Sequence, residues 1–189
     1  MEHHDSHEHG VARLTVATTD DGLEIALESP AANVFGFEHS AKSEEEREAV
    51  HAAMDKLKDG SALFAINSAA ACSLEKATIE ASAADDHEKK EDKHDDHEHE
   101  KEEDKHDDHE HEKKEDKHDE HDHSDKESHS DVDAVWAFHC DKPANIETVN
   151  VKIFSAFPGG FEEIAVEWIT AADAGKTDLK EDGEISLKP

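Results

Sequence analysis

The chain has no tyrosine, only two cysteines and two tryptophans, and 20 basic residues against 51 acidic ones. With Lys and Arg outnumbered, the formal charge is −31. Neither nucleic acid nor an anionic membrane surface suits such a chain, because both bind through a basic excess. No run of 18 apolar residues occurs, so no transmembrane helix is available and no membrane insertion is expected. Catalytic signatures are missing too. There is no Ser/His/Asp pattern, no glycine-rich phosphate loop and no His-Glu-x-x-His. A catalytic zinc needs three fixed ligands and a shaped pocket, which repeats in a flexible tract do not offer. The chain is therefore not expected to be an enzyme. At 38% charged and 34% hydrophobic, the average composition suggests disorder. The average hides a division.

Residues 85–131 contain 24 Asp/Glu, 9 Lys, 11 His and 3 Ser, and not one apolar side chain. Such a segment cannot bury a core and is expected to be disordered when no ligand holds it. It carries −15 of the charge. Nearly all apolar residues lie in 1–84 and 132–189, which are enough to close one core. The expectation is a single discontinuous β-rich domain with one long His/Asp/Glu-rich insertion.

Residues 11–17 and 23–28 alternate with period two around Asp20-Asp21-Gly22, which predicts a hairpin. Residues 31–42 show no period and read as a loop or short turn. Ser43 and Glu46 fit a capping box, and Val50, Ala53, Met54 and Leu57 fall on one helical face, which predicts a helix over 44–58. Gly60 is the expected C-cap. Strand-like runs follow at 61–67, 73–81, 132–140, 147–154, 163–170 and 184–187. One principal helix among about eight short strands predicts an α+β fold, mainly an antiparallel sheet or a sandwich with a helix laid against it.

If 72–81 and 132–140 form one antiparallel hairpin with Ala81 opposite Asp131, Cys72 lies opposite Cys140. A cross-strand disulfide is then possible, and it would pin the base of the long loop. Two buried free thiols are the other reading, the one a reducing compartment favours.

The insertion repeats every twelve residues. Each copy presents His-x-x-His-x-His: His94, His97 and His99; His106, His109 and His111; His118, His121 and His123. His87 shares the phase of His99, and His129 follows the last copy. Three imidazoles within six residues can reach one tetrahedral ion, with carboxylates filling remaining positions. An acidic solubilising linker is the bland alternative, but incidental histidines would not fall in register. Binding is expected to weaken steeply below about pH 6.5, as protons compete for imidazole.

A second cluster, His3, His4, His7 and His9, leads into the first strand. An anchored His-x-His pair is better preorganised than one in a loop; a frayed terminus is the alternative. His39, His51 and His139 are isolated, and an isolated histidine is more often a surface or core residue than a ligand.

His-x-His-Gly at 7–10, Ser29-Pro30, Asn33, Gly36-Phe37-Glu38-His39 and Phe138-His139-Cys140 together resemble the ZrgA-type periplasmic zinc-binding proteins. The likeness spans essentially the whole chain, and His7, His9 and His39 fall in its motifs. It implies a Gram-negative periplasmic protein, here without its signal peptide, that captures and buffers several Zn2+ ions. It further implies passage of zinc to the binding protein of an ABC importer. The ligands alone would also take Cu2+ or Ni2+. A monomer is expected. A metal-responsive interaction module, ordered by zinc and presenting a surface to a partner, is the rival reading.

Overall fold

Strands β1 (Val11–Thr18) and β2 (Gly22–Pro30) form the expected hairpin, with Leu14 opposite Leu27 and Val16 opposite Ile25. All four side chains are buried, so alternation decides which face meets the core. In this computed structural model the described residues are 8–81 and 130–188. Two further strands, β4 (Cys72–Ala81) and β5 (Asp131–Cys140), continue the sheet antiparallel beside β2. On the other side β7 (Glu163–Ile169) runs parallel to β1, and β8 (Ala174–Leu179) closes the edge. The order is β4-β5-β2-β1-β7-β8. A smaller antiparallel sheet joins β3 (Phe64–Ile66), β6 (Thr148–Val151) and β9 (Gly183–Ser186) in the order β3-β6-β9. The fold is α+β and mainly antiparallel, as the patterning predicts.

Helix α1 (Ala31–Phe35) occupies the stretch expected to be a loop or short turn. It begins directly after Pro30 and ends at Gly36, too short for a period to show. Helix α2 (Glu44–Lys58) has both halves of the capping box, and Val50, Ala53 and Leu57 are buried. Gly60 is not its C-cap: Asp59 is. Gly60 instead starts α3 (Gly60–Leu63), where a Cβ would come within 2.5 Å of Trp136 Cδ1. Glycine is there for close approach rather than for a left-handed turn. The expected strands at 61–67 and 147–154 are each shorter, because α3 takes the start of one and α4 (Ile153–Ala156) the end of the other. Asp59 decides the first case, its side chain accepting from Ala62 N–H.

Trp136 on β5 is fully buried, stacks edge-on against Phe64 at 4.8 Å, and donates its indole N–H to Leu57 O at 2.6 Å. One residue thus ties the large sheet to the small sheet and to α2. Such a buried ring satisfies its polar handle while contributing its apolar area.

Cys72 and Cys140 are opposite one another and joined in a disulfide, with Cα atoms 3.9 Å apart. The expected register holds through Leu74, opposite Phe138, and beyond it is off by one: Ala81 faces Val132, not Asp131. A β-bulge between Leu74 and Lys76 causes the shift. Without it, strict alternation from Cys72 and Leu74 would turn Lys76, Thr78 and Glu80 inward. With it, Ala77, Ile79 and Ala81 take the inner face. The disulfide lies at the end of the hairpin remote from the insertion. It therefore closes the hairpin's open end and does not pin the loop's base. Its separation of 68 residues still makes it worth about 4 kcal/mol by loop entropy.

Candidate metal site

The start of β1 is held by a buried asparagine. Gly10 N–H donates to Asn33 Oδ1 at 2.7 Å, while Asn33 Nδ2 donates to Val11 O at 3.0 Å and to Ser29 Oγ at 3.1 Å. Gly10 O accepts from Glu162 and Glu163 N–H. Gly10 has φ +83, a left-handed conformation that glycine adopts without strain, and a Cβ would meet Glu162 Cγ at 2.8 Å. These contacts aim the preceding residue, His9.

His9 is exposed, and its Nε2 lies 2.7 Å from Glu38 Oε1. A carboxylate accepts only, so Nε2 carries the hydrogen, and in the neutral ring Nδ1 keeps its lone pair for a metal ion. A carboxylate on one ring nitrogen with metal on the other is a recurrent way to orient histidine. Glu38 O in turn accepts from Ser130 Oγ at 2.5 Å, and Ser130 O accepts from Ala31 N–H at 2.7 Å. Ser130 follows His129 directly in the chain. His9 of the N-terminal cluster and Ser130, which follows the histidine repeats, therefore both dock at Glu38.

His39 takes part in a separate pair. Its ring stacks on Phe37 with centroids 4.9 Å apart, and Nδ1 lies 3.0 Å from Ser40 O. Its Nε2 faces Glu46 Oε1 at 3.7 Å. The backbone N–H groups of Ser43 and Lys42 hold the Glu46 carboxyl below its ordinary range. Glu38 and His39 are adjacent in sequence yet belong to different histidine–carboxylate pairs.

Other histidines stand apart. His51 is exposed on α2, and His139 is exposed on β5 beside a cysteine whose sulfur is taken by the disulfide. Among the described residues no three metal-ligating side chains converge. Of the expected ligands, His9 and His39 are described. His3, His4, His7, His87, His94, His97, His99, His106, His109, His111, His118, His121, His123 and His129 lie outside the described residues.

The outer face of the large sheet is acidic where the insertion joins it. Glu80, Asp133 and Glu28 are cross-strand neighbours on β4, β5 and β2. Partial burial raises the Asp133 carboxyl above its ordinary value, and the charges of Glu28, Asp131 and Glu80 add to this. Arg13 approaches Glu28 at 3.7 Å. Such a field favours cations near the strand ends from which the repeats depart.

Three residues of this corner escaped the reading of the sequence: Asn33 as a clamp, and Glu38 and Glu46 as histidine partners. Glu46 was visible only as a helix cap. Glu38 had the signal of standing next to His39, but its partner is His9, 29 residues away.

A family model described as ZrgA family zinc uptake protein matches residues 6–108 and 100–186. No curated protein matches the chain.

Proposed function

We propose that this chain, which belongs to the ZrgA family of zinc uptake proteins, captures and buffers zinc in the periplasm and releases it to the binding protein of an ABC importer. The observation that carries this reading is the array of three His-x-x-His-x-His units in twelve-residue register. Equivalent triads let one ion exchange among many ligand sets. Ordering each set costs about 1–2 kcal/mol per residue fixed, which keeps the sites moderate in strength. Moderate sites release zinc to a tighter acceptor. His9, the described member of the N-terminal cluster, adds a donor at the folded part, where Glu38 orients it. No helix among the described residues is long and apolar enough to cross a membrane.

Zinc enters as cargo, and the chain's own groups do three things with it. The carboxylates raise its local concentration. The imidazoles coordinate it. Protons compete for the same nitrogens and set the pH below which cargo is lost. No catalytic step is needed in this account.

The test is zinc calorimetry on the oxidised full chain beside a deletion of 85–129 joined by a short turn. Ser130 and Asp131 are kept, because Ser130 bonds Glu38 and Ala31 and Asp131 begins β5. The expected result is loss of most zinc capacity with an unchanged fold. A deletion variant that retains the capacity would place the binding in the folded part and overturn the reading. A shift to dimer on adding zinc would favour the interaction module instead.

A further inference from the structure

Glu46 completes the capping box with one oxygen only. Oε2 accepts Lys42 N–H at 2.7 Å and Ser43 N–H at 3.0 Å. Oε1 faces His39 Nε2 at 3.7 Å. The imidazole is fixed from its other side by Phe37 and by the Ser40 carbonyl on Nδ1. A carbonyl accepts only, so neutral His39 carries its hydrogen on Nδ1 and a lone pair on Nε2. In that neutral form two electron-pair donors face each other with no hydrogen between them; when His39 is protonated, the same contact is an ion pair that a metal ion must displace. The spacing is too long for a hydrogen bond. It is near the separation of two ligands on one tetrahedral ion, since bonds of about 2.0–2.2 Å place the ligand atoms about 3.3–3.6 Å apart.

We propose that His39 Nε2 and Glu46 Oε1 form a two-ligand site for a divalent cation of the zinc class, with the capping glutamate as a direct metal ligand. The proposal rests on the zinc-uptake reading and adds to it a ligand and a place on the folded part. It sets this pair apart from His9–Glu38, whose 2.7 Å contact needs a hydrogen and makes Glu38 an orienting partner. The site is prepared before the ion arrives. Two backbone N–H groups hold the carboxylate in place. The positive end of α2, about half an elementary charge, opposes a cation, but Glu44, Glu45 and Glu46 outweigh it in the first turn. The His39 side chain is 50% exposed and that of Glu46 29% exposed, so further coordination positions open to solvent. An ion with two protein ligands and open positions leaves readily. This is a transfer site, not a store.

The test is NMR of the ring nitrogens and side-chain carboxyls in the oxidised full chain during titration with Zn2+. His39 Nε2 and the Glu46 carboxyl carbon are expected to shift together, with the Nδ1 hydrogen retained. Glu46→Gln should weaken the His39 response about tenfold or more. Glutamine suits the purpose because its amide oxygen can keep the capping bonds, while the NH2 that stands in place of Oε1 has no lone pair to give a metal ion. A helix signal unchanged in circular dichroism verifies that the cap survives. An equal His39 response in Glu46→Gln would overturn the proposal. So would a stationary Glu46 carboxyl in the unsubstituted chain, which needs no variant to fold. If His39 is silent while other histidines respond, this site fails and the zinc reading stands. If no histidine responds, the zinc reading itself fails.

Discussion

Residues 85–131 hold eleven histidines and no apolar side chain, whereas the described strands and helices hold few histidines around a packed core. The first region has imidazoles in number and a composition with no apolar side chain to pack. The second has geometry: His9 on Glu38, and His39 opposite Glu46, each ring with one nitrogen already committed. The difference separates two jobs. On the proposed reading, number serves capacity and geometry serves the passage of single ions.

The comparison breaks most readily with pH. One unit below the ordinary imidazole value of about 6.5, each ligand is about tenfold depleted, so a three-histidine site should weaken about a thousandfold. Calorimetry at pH 7.5 and 5.5 measures this, and equal affinities would mean that carboxylates rather than imidazoles bind. The disulfide probes the other region. Replacing both Cys72 and Cys140 with serine should cost about 4 kcal/mol in urea unfolding, with zinc capacity unchanged. A fall in capacity would show that the repeats depend on the fold. Asn33→Ala removes the clamp on Gly10 and strands its buried partners, a loss of about 1–3 kcal/mol. It should also loosen His9 from Glu38, seen as a changed His9 ring signal by NMR.

Asp133→Asn gives the smallest effect. Because the folded-state carboxyl is raised, the folded chain binds its proton more tightly than the unfolded chain does. The wild type is therefore penalised above the folded value, and the penalty disappears below the unfolded one. The substitution should stabilise at pH 7 by about 0.2–1 kcal/mol, the scale of cross-strand pair energies, and the gain should vanish near pH 3. Thermal unfolding at the two pH values checks it.

Much of the scaffold was legible because its signals are local. The Asp-Gly turn between alternating runs marks β1–β2, and Ser43 with Glu46 marks the start of α2. The cysteine pairing followed from a shared register, although the bulge at Glu75 then displaced the rest of the strand by one residue. That bulge has no local signature; it exists because Ala77, Ile79 and Ala81 must share a face with Leu74. Strand β8 was missed because Ala-Gly-Lys-Thr-Asp-Leu has no apolar alternation, as an exposed edge strand requires none. Helices of four or five residues, α1, α3 and α4, are too short to show a period. At the candidate site the histidines were visible and their partners were not, since Glu38 and Asn33 act across 29 and 23 residues respectively.

The most direct test replaces the nine histidines of the three His-x-x-His-x-His units with glutamine, keeping length and acidity. Zinc bound per chain is then measured at pH 7.5 against the parent. The account predicts that most of the capacity disappears while the thermal unfolding of the folded part is unchanged. Retention of the parent's capacity would contradict it.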